Sequence, residues 1–264
     1  MANTGHKFLL GQLLSPIKML KLLAVVLLLT SCHKTLFISK TNYKQRLLVV
    51  DKNTKPDSAF LLQILPYKLK LDSQMNELIV QNEVELKKEQ PEGSLGNFLA
   101  DQLMAYAQLN LNPKPDFCLL NHGGLRLPAI YPGPVYLRTL FELQPFENQL
   151  TLVKIKGKDL AIIAKLVKEW GGAPVSGLRL VFQSGNLINA TINGQAIQED
   201  NDYWVLTSDY LANGGDYANV LKAINEKIFL PTKLRDALIV SLRAMAKNGQ
   251  TIQTKKDGRI QFTQ

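Results

Sequence analysis

The sequence predicts one mixed α/β domain of the α+β type, with a mixed β-sheet flanked by helices. Three observations predict it. Segments with helical spacing of apolar residues interleave with short alternating segments, in no strict βαβ rhythm. Hydrophobic residues make up 46% of the 264 residues, which suits a packed core. From about residue 60 onward there is no linker, internal repeat or low-complexity tract. The expected organisation is a leader over 1–31, a tether over 32–60 and the domain over 61–264.

The leader is read from its charge and length. Lys18 and Lys21 precede the apolar run Leu22 to Leu29, which ends in Leu29-Thr30-Ser31-Cys32. Eight apolar residues are too few for a membrane span, which takes about 20. They suit the apolar region of a secretory signal. The ending resembles a bacterial lipobox, in which the cysteine becomes lipidated. Cys32 is therefore the expected lipidation site and membrane anchor, and the expected location is the cell envelope, in the periplasm or at the outer membrane. Met1 and Met19 both remain possible starts.

Within the tether, Arg46 to Val50 reads as a strand, and Lys55-Pro56-Asp57-Ser58 is a breaker cluster. Ser58 to Leu78 is expected to be helical in two pieces broken at Pro66. Ile79 to Leu86 alternates as a strand does. Pro91-Glu92-Gly93-Ser94 is read as a loop with Ser94 as N-cap of a helix running to Leu109. Leu95, Phe98, Leu99, Leu103, Tyr106 and Ala107 form its inner face. Asp116 to Leu120 is a short strand ending at the turn Asn121-His122-Gly123-Gly124. Thr151 to Ile155 is a strand, and Gly157 starts a helix that Gly171-Gly172 stops. Leu178 to Phe182 and Leu187 to Ile192 form a hairpin. Tyr203 to Thr207 is a strand and Pro231 to Lys247 a helix. Asp257-Gly258 marks a final hairpin before Ile260 to Phe262.

Charge and cysteine count exclude several classes. The formal charge is +9, and removing residues 1–31 takes away Lys7, Lys18 and Lys21. The remaining modest basicity suits an anionic ligand or simply solubility. No basic block with interleaved aromatics points to nucleic acid. Cys118, in an apolar run, reads as a small buried core residue, so no disulfide framework is expected. A two-metal phosphoesterase needs several His and Asp ligands around ions about 3.5–4 Å apart. This chain has three histidines, of which only His122 lies in the body of the domain. No metal or other cofactor is expected on this chain.

Four ordered segments carry the functional signal. They are Leu95-Gly96-Asn97-Phe98-Leu99-Ala100-Asp101, Asn121-His122-Gly123-Gly124-Leu125-Arg126, Gln144-Pro145-Phe146-Glu147-Asn148, and Asp209-Tyr210-Leu211-Ala212-Asn213-Gly214-Gly215-Asp216. Gly123 and Gly124 suit a tight turn with positive φ, or close approach of backbone to a ligand. Arg126 offers a planar fork that can grip phosphate, although an arginine after a turn can equally be a surface residue. Phe146 is a large ring in a polar loop. It can pack inward or meet a partner outside the core.

Together, over about residues 65–262, the four segments resemble the C-terminal domain of the 5'-nucleotidase family. The resemblance implies that Phe146 and Tyr210 sandwich a base and that Asn148 reads its edge. It also implies that Asp216 accepts from the ribose diol, that Gly172 leaves room for the base, and that Asn121 and Arg126 serve the substrate, Arg126 at its phosphate. The ligand so implied is a nucleotide or nucleoside. Divalent metals are then expected on a separate metallophosphatase chain, with this chain as the binding half of a split enzyme. A cell-surface binding protein without catalysis is the alternative. The chain departs from the family pattern in three places. Tyr210 stands where phenylalanine is common. Leu86-Lys87-Lys88-Glu89-Gln90 lacks the arginines often found before the LGN helix, leaving Lys87 or Lys88 as point charges. His122 occupies the variable turn position, as an exposed residue or as an acid or base.

Overall fold

The computed structural model describes residues 57–264 continuously, together with Thr54, Lys55 and the helical residues Ile17, Leu20, Lys21 and 23–25. The lipobox, the remainder of the leader and the expected strand over 46–50 lie outside the described residues. Asp57–Gln264 form one compact unit. No helix among the described residues is long and apolar enough to cross a membrane.

A five-stranded mixed sheet forms the centre of this unit. Its strands are β3 (Phe117–Leu119), β6 (Gln149–Lys156), β7 (Val175–Ser176), β11 (Asp202–Ser208) and β12 (Lys227–Lys233), in the order β12-β6-β11-β3-β7. Only the β11–β3 pair is parallel. Side chains alternate across a strand, so one strand can feed two cores. On β6, Leu150 and Leu152 face one core while Val153 and Ile155 face the other. On β3, Cys118 faces the first core and Phe117 and Leu119 the second. Burial pushes the Cys118 thiol well above its ordinary pKa, as expected of an inert core residue.

Helices cover both faces. The first core takes helix α2 (Ser94–Asn110), through Leu95, Phe98, Leu99, Leu103 and Ala107, and helix α6 (Leu234–Lys247), through Leu234, Leu238 and Leu242. The second takes helix α4 (Leu160–Glu169), through Leu160, Ile163, Ala164 and Val167. Gly171 and Gly172 end α4 with positive φ, their N–H groups donating to Lys168 and Val167 carbonyls. A second sheet runs β10-β9-β8-β13, with β8 (Leu178–Gln183), β9 (Asn186–Ile192), β10 (Gln195–Ala196) and β13 (Ile260–Thr263). Strands β8 and β9 form the expected hairpin. Two-stranded ribbons pair β1 (Leu78–Asn82) with β5 (Gly133–Tyr136), and β2 (Leu86–Lys87) with β4 (Ala129–Ile130).

Several expectations are corrected. Helix α1 (Ser58–Met75) runs unbroken through Pro66. The carbonyl that Pro66 leaves without a bond belongs to Leu62, which is exposed, so water can satisfy it. No residue of α1 is buried, and Phe60, Leu62, Tyr67 and Leu69 all face solvent. Ser94 is not the N-cap of α2. Gly93 is, and the Ser94 hydroxyl instead accepts from the Lys87 N–H at 2.8 Å. The run 79–86 is two strands, not one. Pro231 belongs to β12, where a residue without an N–H is tolerated because the strand is at a sheet edge. Asp257-Gly258 makes no hairpin: β13 pairs parallel with β8, Ile260 opposite Leu180.

The first sequence motif turns out to be scaffolding for this crossing. Asp101 makes a two-pronged ion pair with Arg259 (2.6 and 2.8 Å) and accepts from the Ser176 hydroxyl. Buried Asn97 donates to Glu92, whose carboxylate also accepts from the backbone N–H groups of Asp257 and Gly258. Helix α2 thereby holds residues 257–259 in place, and with them the start of β13.

Candidate functional site

Three of the four segments converge. A cavity of about 330 Å³ is lined by Asn121, Gly123, Gly124, Arg126, Phe146, Asn148, Tyr210 and Asp216. Each comes from a loop or turn beyond a strand or helix end. Asn121 follows β3 and leads into a 3-10 turn, His122–Gly124. Phe146 and Asn148 lie between helix α3 (Leu137–Leu143) and β6. Tyr210 lies in the first turn of the short helix α5 (Asp209–Ala212) after β11, and Asp216 lies in the 3-10 turn Gly215–Tyr217. Sheet and helices thus set the loops, and the loops carry the polar chemistry.

Neither ring is sunk into the core: Phe146 and Tyr210 are each 43% exposed. The Phe146 loop is held from beneath by Arg235, a residue the sequence did not single out. Arg235 is itself buried. It donates to the carbonyls of Gln144 (3.0 Å) and Phe146 (3.4 Å) and to the Glu147 carboxylate (2.5 Å), and its guanidinium stacks over Phe141 at 4.1 Å. Hydrogen bonds from Lys233 and Arg235 hold the Glu147 carboxyl down at about 2. The Asn148 side chain makes no hydrogen bond to another described residue, so its amide is available at the cavity wall, while its carbonyl accepts from Leu234 N–H.

At the far side, Asp216 accepts from the Tyr210 hydroxyl at 2.7 Å and from the Asn121 amide at 2.5 Å. Its own N–H donates to the Tyr210 oxygen at 3.2 Å, and its carbonyl accepts from the Trp170 indole at 2.8 Å. The sequence places Trp170 at a helix end without showing this contact. The bond to Asp216 raises the Tyr210 pKa further above its ordinary value.

The charged end is looser. The Arg126 guanidinium lies 5.6 Å over the Phe146 ring, exposed, with no ion pair among the described residues. Lys87 pairs with Glu85 at 3.0 Å. Lys88 donates to the Leu125 carbonyl at 2.8 Å and lines a second opening of about 350 Å³ with Glu89, Gln90, His122, Gly123 and Pro128. Gly123 borders both openings. His122 is half-buried, not an exposed turn residue. Burial, with nearby Lys88, lowers its pKa to about 4, so it is neutral at physiological pH. Its Nε2 is buried with no partner among the described residues.

Two glycine expectations change. Gly123 and Gly124 do not have positive φ; they lie in the 3-10 turn against the Asn121 side chain. Gly172 is buried and is not among the residues lining the cavity. A side chain there would meet the Pro91 carbonyl oxygen at 2.1 Å, and φ is +120°. Packing against Pro91 therefore requires this glycine, where the expectation was room for a base. No group of three or more His, Cys, Asp or Glu that could hold a metal occurs among the described residues.

The family model described as 5'-nucleotidase, C-terminal domain, matches residues 73–223, more than half of the chain. The chain belongs to the 5'-nucleotidase family. It is 27% identical to a 5'-nucleotidase of Vibrio vulnificus over 66% of this chain and 32% of that protein. It is 26% identical to a trifunctional nucleotide phosphoesterase of Bacillus subtilis over 81% of this chain and 16% of that one. The fold is shared with a 5'-nucleotidase precursor of Thermus thermophilus, at a TM-score of 0.67 and 24% identity, covering 79% of this chain and 44% of that one. The chain therefore spans about a third of the length of the 5'-nucleotidases it matches.

Proposed function

We propose that this chain is the nucleotide-binding half of a split 5'-nucleotidase. A separate secreted metallophosphatase would carry the divalent metals and the attacking water. The observation that carries the reading is the single cavity into which Asn121, Arg126, Phe146, Asn148, Tyr210 and Asp216 are gathered from three distant segments.

Each group suits one part of a nucleotide. The faces of Phe146 and Tyr210 offer stacking, worth about 1–3 kcal/mol per base contact. The unengaged Asn148 amide can donate to and accept from a base edge. Asp216 can accept from sugar hydroxyls. Arg126, unpaired and exposed, can hold phosphate. Binding the base and sugar here would orient the phosphate toward the partner's metals, turning remote binding energy into positioning. The lipid anchor on Cys32 and a cell-envelope location belong to the same proposal.

Two measurements test it. Calorimetry on the purified chain should show AMP binding that is weakened in Phe146→Ala. Mixing the chain with a secreted metallophosphatase from the same organism should give a complex and faster AMP hydrolysis. If no such phosphatase associates and hydrolysis is unchanged, the split-enzyme reading is wrong. One observation favours the second reading, capture of nucleosides without catalysis: the Lys88 ammonium is spent on the Leu125 carbonyl, leaving Arg126 as the one cation lining the cavity. That reading expects adenosine to bind as tightly as AMP, with no phosphate released in any mixture.

A further inference from the structure

We infer that the Tyr210 hydroxyl is a positioning residue that sets the site's selectivity for an intact ribose diol, by clamping Asp216 from two sides. The inference rests on the nucleotide reading above and adds a determinant to it.

The turn that carries Asp216 does not hold its shape unaided. Gly214, Asp216 and Tyr217 all have positive φ (95°, 49° and 63°), a region that disfavours residues with a side chain. Asp216 is held there by four hydrogen bonds. Two come from the Tyr210 oxygen, which donates to Oδ1 at 2.7 Å and accepts from the Asp216 N–H at 3.2 Å. The others are the Asn121 amide on Oδ2 and the Trp170 indole on the carbonyl. A phenylalanine at position 210 keeps the ring and loses both of the first pair.

The count of acceptor sites gives the clamp its meaning. An ionised carboxylate has about four acceptor sites, two on each oxygen. Tyr210 takes one on Oδ1 and Asn121 one on Oδ2. One site remains on each oxygen, which matches the two donors of a vicinal diol. The hydroxyl also ties the ring that stacks a base to the carboxylate that meets the sugar. The ring is also held by a contact that does not need the hydroxyl: a side chain on Gly215 would meet its atoms at 2.4 Å, so Gly215 packs flush against it. Removing the hydroxyl therefore removes the clamp and leaves the stacking platform.

The test compares AMP with 2',3'-dideoxy-AMP by calorimetry on the full chain and on Tyr210→Phe. The unmutated chain is expected to favour AMP by about tenfold. In Tyr210→Phe that preference should shrink to about twofold, through weaker AMP binding alone, as fits the loss of one or two hydrogen bonds. Asn121→Ala, which removes the other donor while leaving the ring and its hydroxyl intact, should narrow the preference in the same direction. An unchanged preference in Tyr210→Phe overturns the clamp, and so does an equal loss for both ligands, which would show the hydroxyl placing the ring and not the carboxylate that meets the diol. If the unmutated chain binds neither ligand, the nucleotide reading fails and the clamp with it. Binding with an unchanged ratio fails the clamp only.

Discussion

The two ends of the cavity are built to different standards. At one end, Asp216 is held by Tyr210, Asn121 and Trp170, and the Phe146 loop is pinned by buried Arg235. At the other, the Arg126 guanidinium lies exposed over the Phe146 ring with no ion pair among the described residues, Lys87 pairs with Glu85, and Lys88 is committed to a backbone carbonyl. The contrast locates pre-organisation. Side chains already fixed lose little freedom on binding a base and sugar, whereas a free arginine must be ordered when phosphate arrives. Under the proposed reading, a site so divided selects its ligand by base and sugar and leaves most of the phosphate to another surface.

The sharpest way to break the contrast is to remove its support. Arg235→Met leaves the buried Gln144 carbonyl without its donor and should destabilise the domain by about 2–4 kcal/mol. Urea unfolding measures this; a change within error would mean that the loop holds itself. Phe146→Ala should weaken AMP and adenosine alike by about 1–3 kcal/mol, as loss of a stacking face predicts. If AMP alone suffers, the ring serves Arg126 and not the base. Arg126→Gln should cost AMP about 1–2 kcal/mol and leave adenosine unchanged. Equal affinities of the unmutated chain for the two ligands would show that the loose end contributes nothing.

The smallest effect concerns His122. Its folded-state pKa is depressed from 6.5 to about 4, so the unfolded chain takes up a proton first as pH falls. Stability from this group is therefore present above pH 6.5 and lost progressively as pH drops toward 4. His122→Gln should flatten the pH dependence of the unfolding midpoint across that window. A slope identical to that of the unmutated chain would mean that other groups govern it.

Most of the cavity wall was legible because its residues fall in the short ordered segments that carry the family resemblance. Asn121, Arg126, Phe146, Asn148, Tyr210 and Asp216 each lie within a few residues of a glycine pair, a proline or a helix start. Their supports were not legible. Arg235 looks like any exposed arginine in the first turn of a helix, and Trp170 like any helix terminus; only tertiary packing brings them under the loops. The central strands were visible as apolar runs, since alternation feeds two cores from one strand. Strands β4, β5, β7 and β10 are too short to show a period. The Asp257-Gly258 pair carries a strong local turn signal, yet the pairing that follows is long-range and parallel, which no local signal reports. Gly172 needs no ligand to explain it: the chain's own Pro91 leaves no space for a side chain there.

The placement of β13 has a bearing on how the protein is made. Ile260 must lie against Leu180, and Arg259 must reach Asp101 and the Val175 carbonyl, before the second sheet is whole. The hairpin of β8 and β9 can form as soon as it is synthesised, but its free edge stays open while residues 193–259 are still emerging. Until residues 259–263 arrive, that edge offers unpaired backbone to any neighbouring strand. A chain stopped short of them is expected to aggregate, even with every cavity residue intact.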